Sequence, residues 1–336
     1  MSNETTGHDR LGVLSSTRAV IDASTWVEID HDRIEALARD FAERAVAPEP
    51  WASPYHFADG TARTVTAVFV LDALNFCFWS ERADPADRWK VAYNGEVVDG
   101  YWALAAALKR GIEAGAPLYD PAYLATISAS DLEELLRPSV PGGARIPLFN
   151  IRLANLQELG RGLLAIGGAE PATTLVTDAG GSAIELVQRV VSLFPSFNDV
   201  ATYHGQDVRF YKRAQILISD LAGAFAGAGF GAFHDFGDLT AFADYKVPQV
   251  LRQLGVLRYA SELAERISAR ELLRAGSEEE VEIRAATIWG VEYLRRALAA
   301  HGRSLPAGDI DWLLWQAGQH LPPGTEPYHR TLTVFY

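Results

Sequence analysis

Phe242-Ala243-Asp244-Tyr245-Lys246-Val247-Pro248-Gln249-Val250-Leu251-Arg252-Gln253-Leu254-Gly255 reads as a loop entering a helix. Val247, Val250, Leu251 and Leu254 recur at the spacing that gathers apolar side chains on one helical face. Gly255 supplies the stop. Asp244 then falls at or near the helix start, where unpaired backbone N–H groups and the helix dipole favour an anion. By spacing alone Asp244 is a capping residue. A chemical role requires other groups to converge on it.

The rest of the chain is read for such groups. Its 336 residues are 49% hydrophobic and 22% charged, enough for a large core in one domain or two lobes. The net charge of −13 argues against a polymeric nucleic-acid ligand, because such binders present a basic field to the phosphates. A basic pocket for one phosphate stays compatible with it. Cys77 is the only cysteine, which excludes an intrachain disulfide and a cysteine-rich zinc site. The N-terminus lacks a basic-then-apolar leader and no apolar run has membrane-spanning length, so the expectation is a soluble, cytoplasmic protein.

Taken in order, residues 1–14 are expected to form a flexible tail and 15–336 one helical catalytic unit. Ser15 to about Ala47 reads as helix, with Ile34, Leu37, Ala38 and Phe41 on one face. An aromatic loop, Trp51 to Phe57, contains His56. Val65 to Trp79 is a buried helix by its length and apolarity, and its Asp72 and Asn75 read as a structural pair. Ser130-Asp131-Leu132-Glu133 and Ser277-Glu278-Glu279-Glu280 each have capping-box spacing. Pro138 to Pro147 is a loop. The small-residue stretch 167–181 is the expected lobe junction. Helices are expected from Arg152, Ser182, Lys212 and Asp311, and a short strand at 332–336. No repeat, phosphate-cradling glycine loop or metal-ligand spacing is present.

The order Lys212 helix, loop, Asp244, Val247, Leu254-Gly255 is similar to the core of helix-hairpin-helix DNA glycosylases. Their DNA-gripping glycine hairpin is replaced here by Asp207-Val208-Arg209-Phe210-Tyr211, too bulky for close backbone approach to a phosphate. A resemblance over nearly the whole chain lies in Asn75-Phe76-Cys77-Phe78-Trp79, Tyr101-Trp102-Ala103-Leu104, Phe194-Pro195-Ser196-Phe197-x-Asp199, Tyr211-Lys212-Arg213-Ala214-Gln215, Phe242-Ala243-Asp244-Tyr245 and Glu282-Ile283-Arg284-Ala285. In that order they resemble the queuosine salvage protein family, the queuosine 5′-phosphate N-glycosylases.

The resemblance implies a mainly α, DNA-glycosylase-like fold in two lobes around a central pocket, with few or no strands. It implies release of queuine from queuosine 5′-monophosphate without a cofactor or a metal. N-glycoside cleavage passes through an oxocarbenium-like state, which a carboxylate beside the sugar carbon stabilises. Asp244 is the expected catalytic carboxylate. Phe242 and Tyr245 flank it as sugar or base walls, or as core. Asp199 is the second acid, a base contact with Phe197 stacking nearby, or otherwise a cap. Lys212 and Arg213 are expected at the 5′-phosphate, or on a solvated face. Asp311, Trp312 and Gln316 are expected to contact the base, and His56 to close the pocket. Gln316 stands where an acid would be expected. The rival readings are a glycosylase acting on nucleic acid and a non-catalytic queuine-binding protein.

Overall fold

The computed structural model describes residues 9–80, 88–139 and 143–336. Most of the expected tail, residues 1–8, and the middle of the 138–147 loop lie outside the described residues. The fold is mainly helical, and among the described residues strands occur only as short pairs. The chain divides into two compact units, each assembled from separated segments.

The first unit comprises Met1–Glu49, Asp199–Gln215 and Asp235–Leu332. Its axis is the helix Glu278–Ala300, buried on every face from Glu280 to Glu292. The helices Val13–Ala23, His31–Glu43, Lys246–Gln253 and Ala307–Ala317 pack around it. Val247, Val250 and Leu251 of the third join Ile34, Ile283, Leu294 and Ile310 in one apolar core, so the periodicity of the opening stretch is spent on this contact. The helix ends as its sequence suggests. Gly255 is left-handed at φ +78°; the Val256 N–H donates to the Leu251 carbonyl at 2.8 Å and the Gly255 N–H to Arg252 at 2.9 Å. This is the Schellman pattern, open to glycine because it has no Cβ to clash.

Ser15–Ala47 is two helices rather than one, and the first begins at Val13 inside the expected tail; Val13 is fully buried. The break is imposed from far away. Glu282, fully buried, accepts from Ser24 Oγ at 2.5 Å, the Thr25 N–H at 3.0 Å and the Trp26 N–H at 2.7 Å. Its other oxygen accepts from the Tyr203 hydroxyl at 2.9 Å. Beyond the turn, Val27–Ile29 pairs antiparallel with Leu257–Tyr259. The stretch before Lys212 contains a β-hairpin, Val200–Tyr203 with Gln206–Arg209. His204 and Gly205 turn it with φ of +47° and +79°, the signature of a type I′ turn. The terminal strand is Arg330–Thr331, parallel to Leu272–Leu273, rather than 332–336.

The second unit comprises Pro50–Asn198, Ile216–His234 and Thr333–Tyr336. The stretch 167–181 lies inside it, so the unit boundaries fall elsewhere. The apolar helix Ala62–Leu74 is buried almost throughout. Its last carbonyls, if left unpaired, would be costly in such a setting. Arg152 and Asn155 on the helix Phe149–Ile166 satisfy them: the guanidinium donates to the carbonyls of Leu74, Phe76 and Cys77, and the Asn155 amide to Ala73. The cation also complements the negative end of the helix dipole. Asp72 Oδ1 accepts from Asn75 Nδ2 at 3.2 Å, the structural pairing their spacing suggests. Of the two expected capping boxes, one shifts to Ser128 and Asp131. In the other, Ser277 makes no side-chain cap and Glu280 accepts from the Gly276 N–H instead.

Candidate active site

Asp244 is the capping group its position promised, though Tyr245 occupies the N-cap backbone position. Asp244 Oδ1 accepts from the N–H groups of Lys246 and Val247, both at 2.8 Å. Pro248 follows and has no N–H to satisfy, so one oxygen caps the whole first turn. Asp244 is only 5% exposed, yet among the described residues Oδ2 has no hydrogen-bond partner and is not fully enclosed. Asp311, on the helix Ala307–Ala317, has the same arrangement. Its Oδ1 accepts from the Phe242 N–H at 2.9 Å, and Oδ2 is left without a partner. Two buried carboxyl groups are thus each fixed by one oxygen and keep the other available.

Their protonation differs. Burial raises the pKa of Asp244, while the positive charge of Lys212 and the two backbone N–H groups oppose that rise. Asp311 is pushed well above the carboxylate range, by burial first and then by the negative charge of Asp244. Two neighbouring carboxyls do not ionise together in a low-dielectric site. Asp244, with more donors, is the easier of the two to ionise, and Asp311 the harder. Paired groups held in different states are the usual basis for dividing acid and base roles.

Lys212 is buried and starts the helix Lys212–Ala224, after Tyr211 in a left-handed conformation. Its cation acts on both carboxyls. Arg213 is 1% exposed, which removes the solvated-face reading. Gln215, one turn on, donates to the carbonyl of Phe210 at 2.9 Å and to Thr240 Oγ1 at 3.0 Å, and accepts from the Thr240 N–H at 2.9 Å. It thereby anchors the loop that leads to Asp244. Phe242 is buried with its ring against Gly308, where an added Cβ would lie 3.2 Å from it. Tyr245 is half-buried, its ring 4.8 Å from that of Tyr328.

Asp199 is engaged by Arg284 and by the Lys212 backbone. Arg284 Nη1 donates to Asp199 Oδ1 at 3.0 Å and Nη2 to Oδ2 at 2.5 Å, and the Lys212 N–H also reaches Oδ2 at 3.2 Å. Trp312 and Gln316 hold a chain segment. The Trp312 indole N–H donates to the Glu49 carbonyl at 2.8 Å; Gln316 accepts from the Glu49 N–H at 3.0 Å and donates to its carbonyl at 3.3 Å. Arg284, Gln215 and Gly308 had no role assigned from sequence. Arg284 and Gln215 lie in the quoted motifs, which were the available signal, while Gly308 lies in none. Among the described residues no cluster of three or more His, Cys, Asp or Glu side chains fits a metal ion.

His56 and Phe197 lie in the second unit. Phe197 is buried, 6.1 Å from the Phe194 ring. His56 is stacked on Trp51 at 3.7 Å, with Nδ1 2.8 Å from the Trp51 carbonyl and Nε2 2.8 Å from the Tyr101 hydroxyl. The Trp51 carbonyl can only accept, so Nδ1 carries the proton, and Nε2 competes with Asp220 Oδ2, 3.3 Å from the Tyr101 hydroxyl, for the single hydroxyl proton. Burial lowers the His56 pKa from 6.5 to about 4, and His329, in the first unit, falls to about 3 for the same reason. In both cases the unfolded chain takes up a proton that the folded chain refuses. Their contribution is complete above pH 6.5 and is lost as pH falls towards 4, on the order of 3 kcal/mol for His56. The urea unfolding midpoint should therefore fall steadily across that window. His56→Gln should lower the midpoint at neutral pH and flatten part of the slope; an unchanged slope would assign the acid sensitivity elsewhere.

Comparison with known proteins agrees with the motif order. The queuosine salvage protein family matches residues 55–336. A protein of Sphaerobacter thermophilus named queuosine 5′-phosphate N-glycosylase/hydrolase is 54% identical over 328 residues, covering 98% of each chain. Proteins of the same name from Mus musculus and Schizosaccharomyces pombe are 35% and 32% identical, covering 96% and 87% of this chain and 97% and 83% of their own. With a match of this extent around a buried carboxyl pair and its lysine, the chain belongs to the queuosine salvage protein family.

Proposed function

We infer that this protein hydrolyses the N-glycosidic bond of queuosine 5′-phosphate, giving the base queuine and ribose 5-phosphate. The observation that carries the reading is the full-length similarity to enzymes of that name, joined to a buried carboxyl whose second oxygen is unengaged. As the bond from the sugar carbon to the base nitrogen breaks, its electron pair leaves with the base and positive charge grows on the sugar. The anion of Asp244 stabilises that charge or attacks the sugar carbon. Water then supplies the oxygen to the sugar and its proton balances the departing base.

Queuine is a 7-deazaguanine. Carbon replaces the ring nitrogen that purine glycosidases can protonate, so the carboxylate carries more of the rate enhancement. Asp311, holding its proton on the side away from Phe242, is suited to hydrogen-bond the base as it gains charge. Lys212 and Arg213 are candidates for the 5′-phosphate, and Phe242 and Tyr245 for shaping the walls. The reading takes the substrate to be a free nucleotide rather than a nucleic acid, given the charge of −13. No helix among the described residues is long and apolar enough to cross a membrane, and action in the cytoplasm fits the single buried Cys77.

Incubation with queuosine 5′-phosphate should release queuine and ribose 5-phosphate, separable by chromatography. Remote phosphate binding contributes to positioning the reacting bond. The nucleoside should therefore have a kcat/KM lower by about ten- to a hundredfold. Binding of queuine with no turnover of the nucleotide would instead mark a carrier, and equal constants for nucleotide and nucleoside would remove the phosphate from the site.

A further inference from the structure

We propose that the buried Asp199–Arg284 pair is a positioning strut that fixes the separation of Lys212 and Asp244. The proposal rests on the hydrolytic reading above and assigns neither residue a contact with substrate. Both side chains are 2% exposed and meet in a two-pronged carboxylate–guanidinium bond, the geometry with the least rotational freedom. The ends of the pair matter more than its middle. At one end, Asp199 Oδ2 takes the backbone N–H of Lys212 itself, at 3.2 Å. At the other, Arg284 Nε donates to the carbonyl of Ala243, at 3.2 Å, and Ala243 immediately precedes Asp244.

The path from the lysine to the carboxylate is therefore three hydrogen-bonded links long. It is braced on both sides. The Asp199 carbonyl accepts from the N–H groups of Phe210 and Tyr211 at 3.0 and 3.2 Å. The Phe210 ring lies 3.8 Å under the guanidinium, and Glu280 sits 3.8 Å from Nε. Glu282, two residues from Arg284 on the same helix, shows the contrast. It is equally buried, but its bonds organise Ser24–Trp26 and Tyr203 and reach neither Lys212 nor the Asp244 loop. A strut of this kind matters because catalytic groups lose about a hundredfold in rate when displaced by roughly 1 Å.

The test uses Asp199→Asn, Arg284→Lys and the double variant in the full chain, with queuosine 5′-phosphate as substrate and free queuine as a binding probe. Asparagine still accepts from the Lys212 N–H, and lysine still neutralises the carboxylate, but neither keeps both prongs and the Ala243 link. The expected result is a kcat lower by roughly a hundredfold, with KM and queuine affinity within about threefold of the parent. The double variant should be little worse than either single change, because one strut breaks only once. A purely structural pair would lower the melting temperature and leave kcat per folded molecule intact, and that outcome overturns the proposal. Additive losses, or a tenfold loss of queuine affinity, would overturn it too, the second by making Asp199 a base contact. If Asp199→Asn does not fold, Arg284→Lys carries the test; failure of both to fold assigns the pair to folding and overturns the strut. A parent protein inactive on the nucleotide defeats the hydrolytic reading itself, a failure visible before any variant is made.

Discussion

Asp244→Asn should fold, bind queuine and lose roughly two to four orders of magnitude in kcat, the usual cost of removing one key electrostatic group. The substitution separates the cap seen in the structure from the catalytic role proposed for this side chain. Its capping function needs only an acceptor at Oδ1 for the Lys246 and Val247 N–H groups, and asparagine caps about as well as aspartate. The core face of the helix is untouched, so the melting temperature should stay close to that of the parent. What disappears is the negative charge on an oxygen with no other partner. A variant with near-normal turnover would make Asp244 a cap alone. Asp199 would be a poor heir, since both its oxygens are held by Arg284; Asp311 would be the acid to replace next.

The legible and illegible parts of this chain divide by range of interaction. The helix Lys246–Gln253, its acidic start and its Gly255 stop are all local, written in the spacing of Val247, Val250, Leu251 and Leu254. The Lys212 helix is legible for the same reason, while the last helix begins at Ala307, four residues before the expected Asp311. What these helices hold is not local. Arg284 reaches Asp199 across 85 positions, and Trp312 reaches the Glu49 carbonyl across 263; no periodicity announces such pairings. The same limit explains the single helix expected over 15–47, where Glu282 arrives from 256 positions beyond Trp26 to stabilise a turn. It also explains 167–181. Local glycine content signals a flexible backbone, whereas unit boundaries follow non-local packing. The candidate site residues came from motif order, which supplies what periodicity lacks, and the direction in which burial and neighbours shift their acidity could be read only from the packing.

Replacing Lys212 with methionine tests whether its charge serves the carboxyls or the phosphate. Burial raises the pKa of both Asp244 and Asp311, and Lys212 opposes the rise in each. Methionine keeps the apolar stem and removes the cation. Asp244 should then ionise only at higher pH. Because the working form is the carboxylate, the acid limb of the kcat profile should move upward, by about one pH unit or more for a buried pair that loses an opposite charge. At neutral pH turnover should drop by roughly ten- to a hundredfold and recover partly on raising the pH. Lys212→Arg, which keeps the charge, should leave the limb near its original place. A lysine devoted to the 5′-phosphate predicts a different pattern: KM for the nucleotide rises, the nucleoside is unaffected, and the acid limb does not move. A shifted limb with both substrates would place the cation with Asp244 and Asp311 and leave the phosphate to other groups.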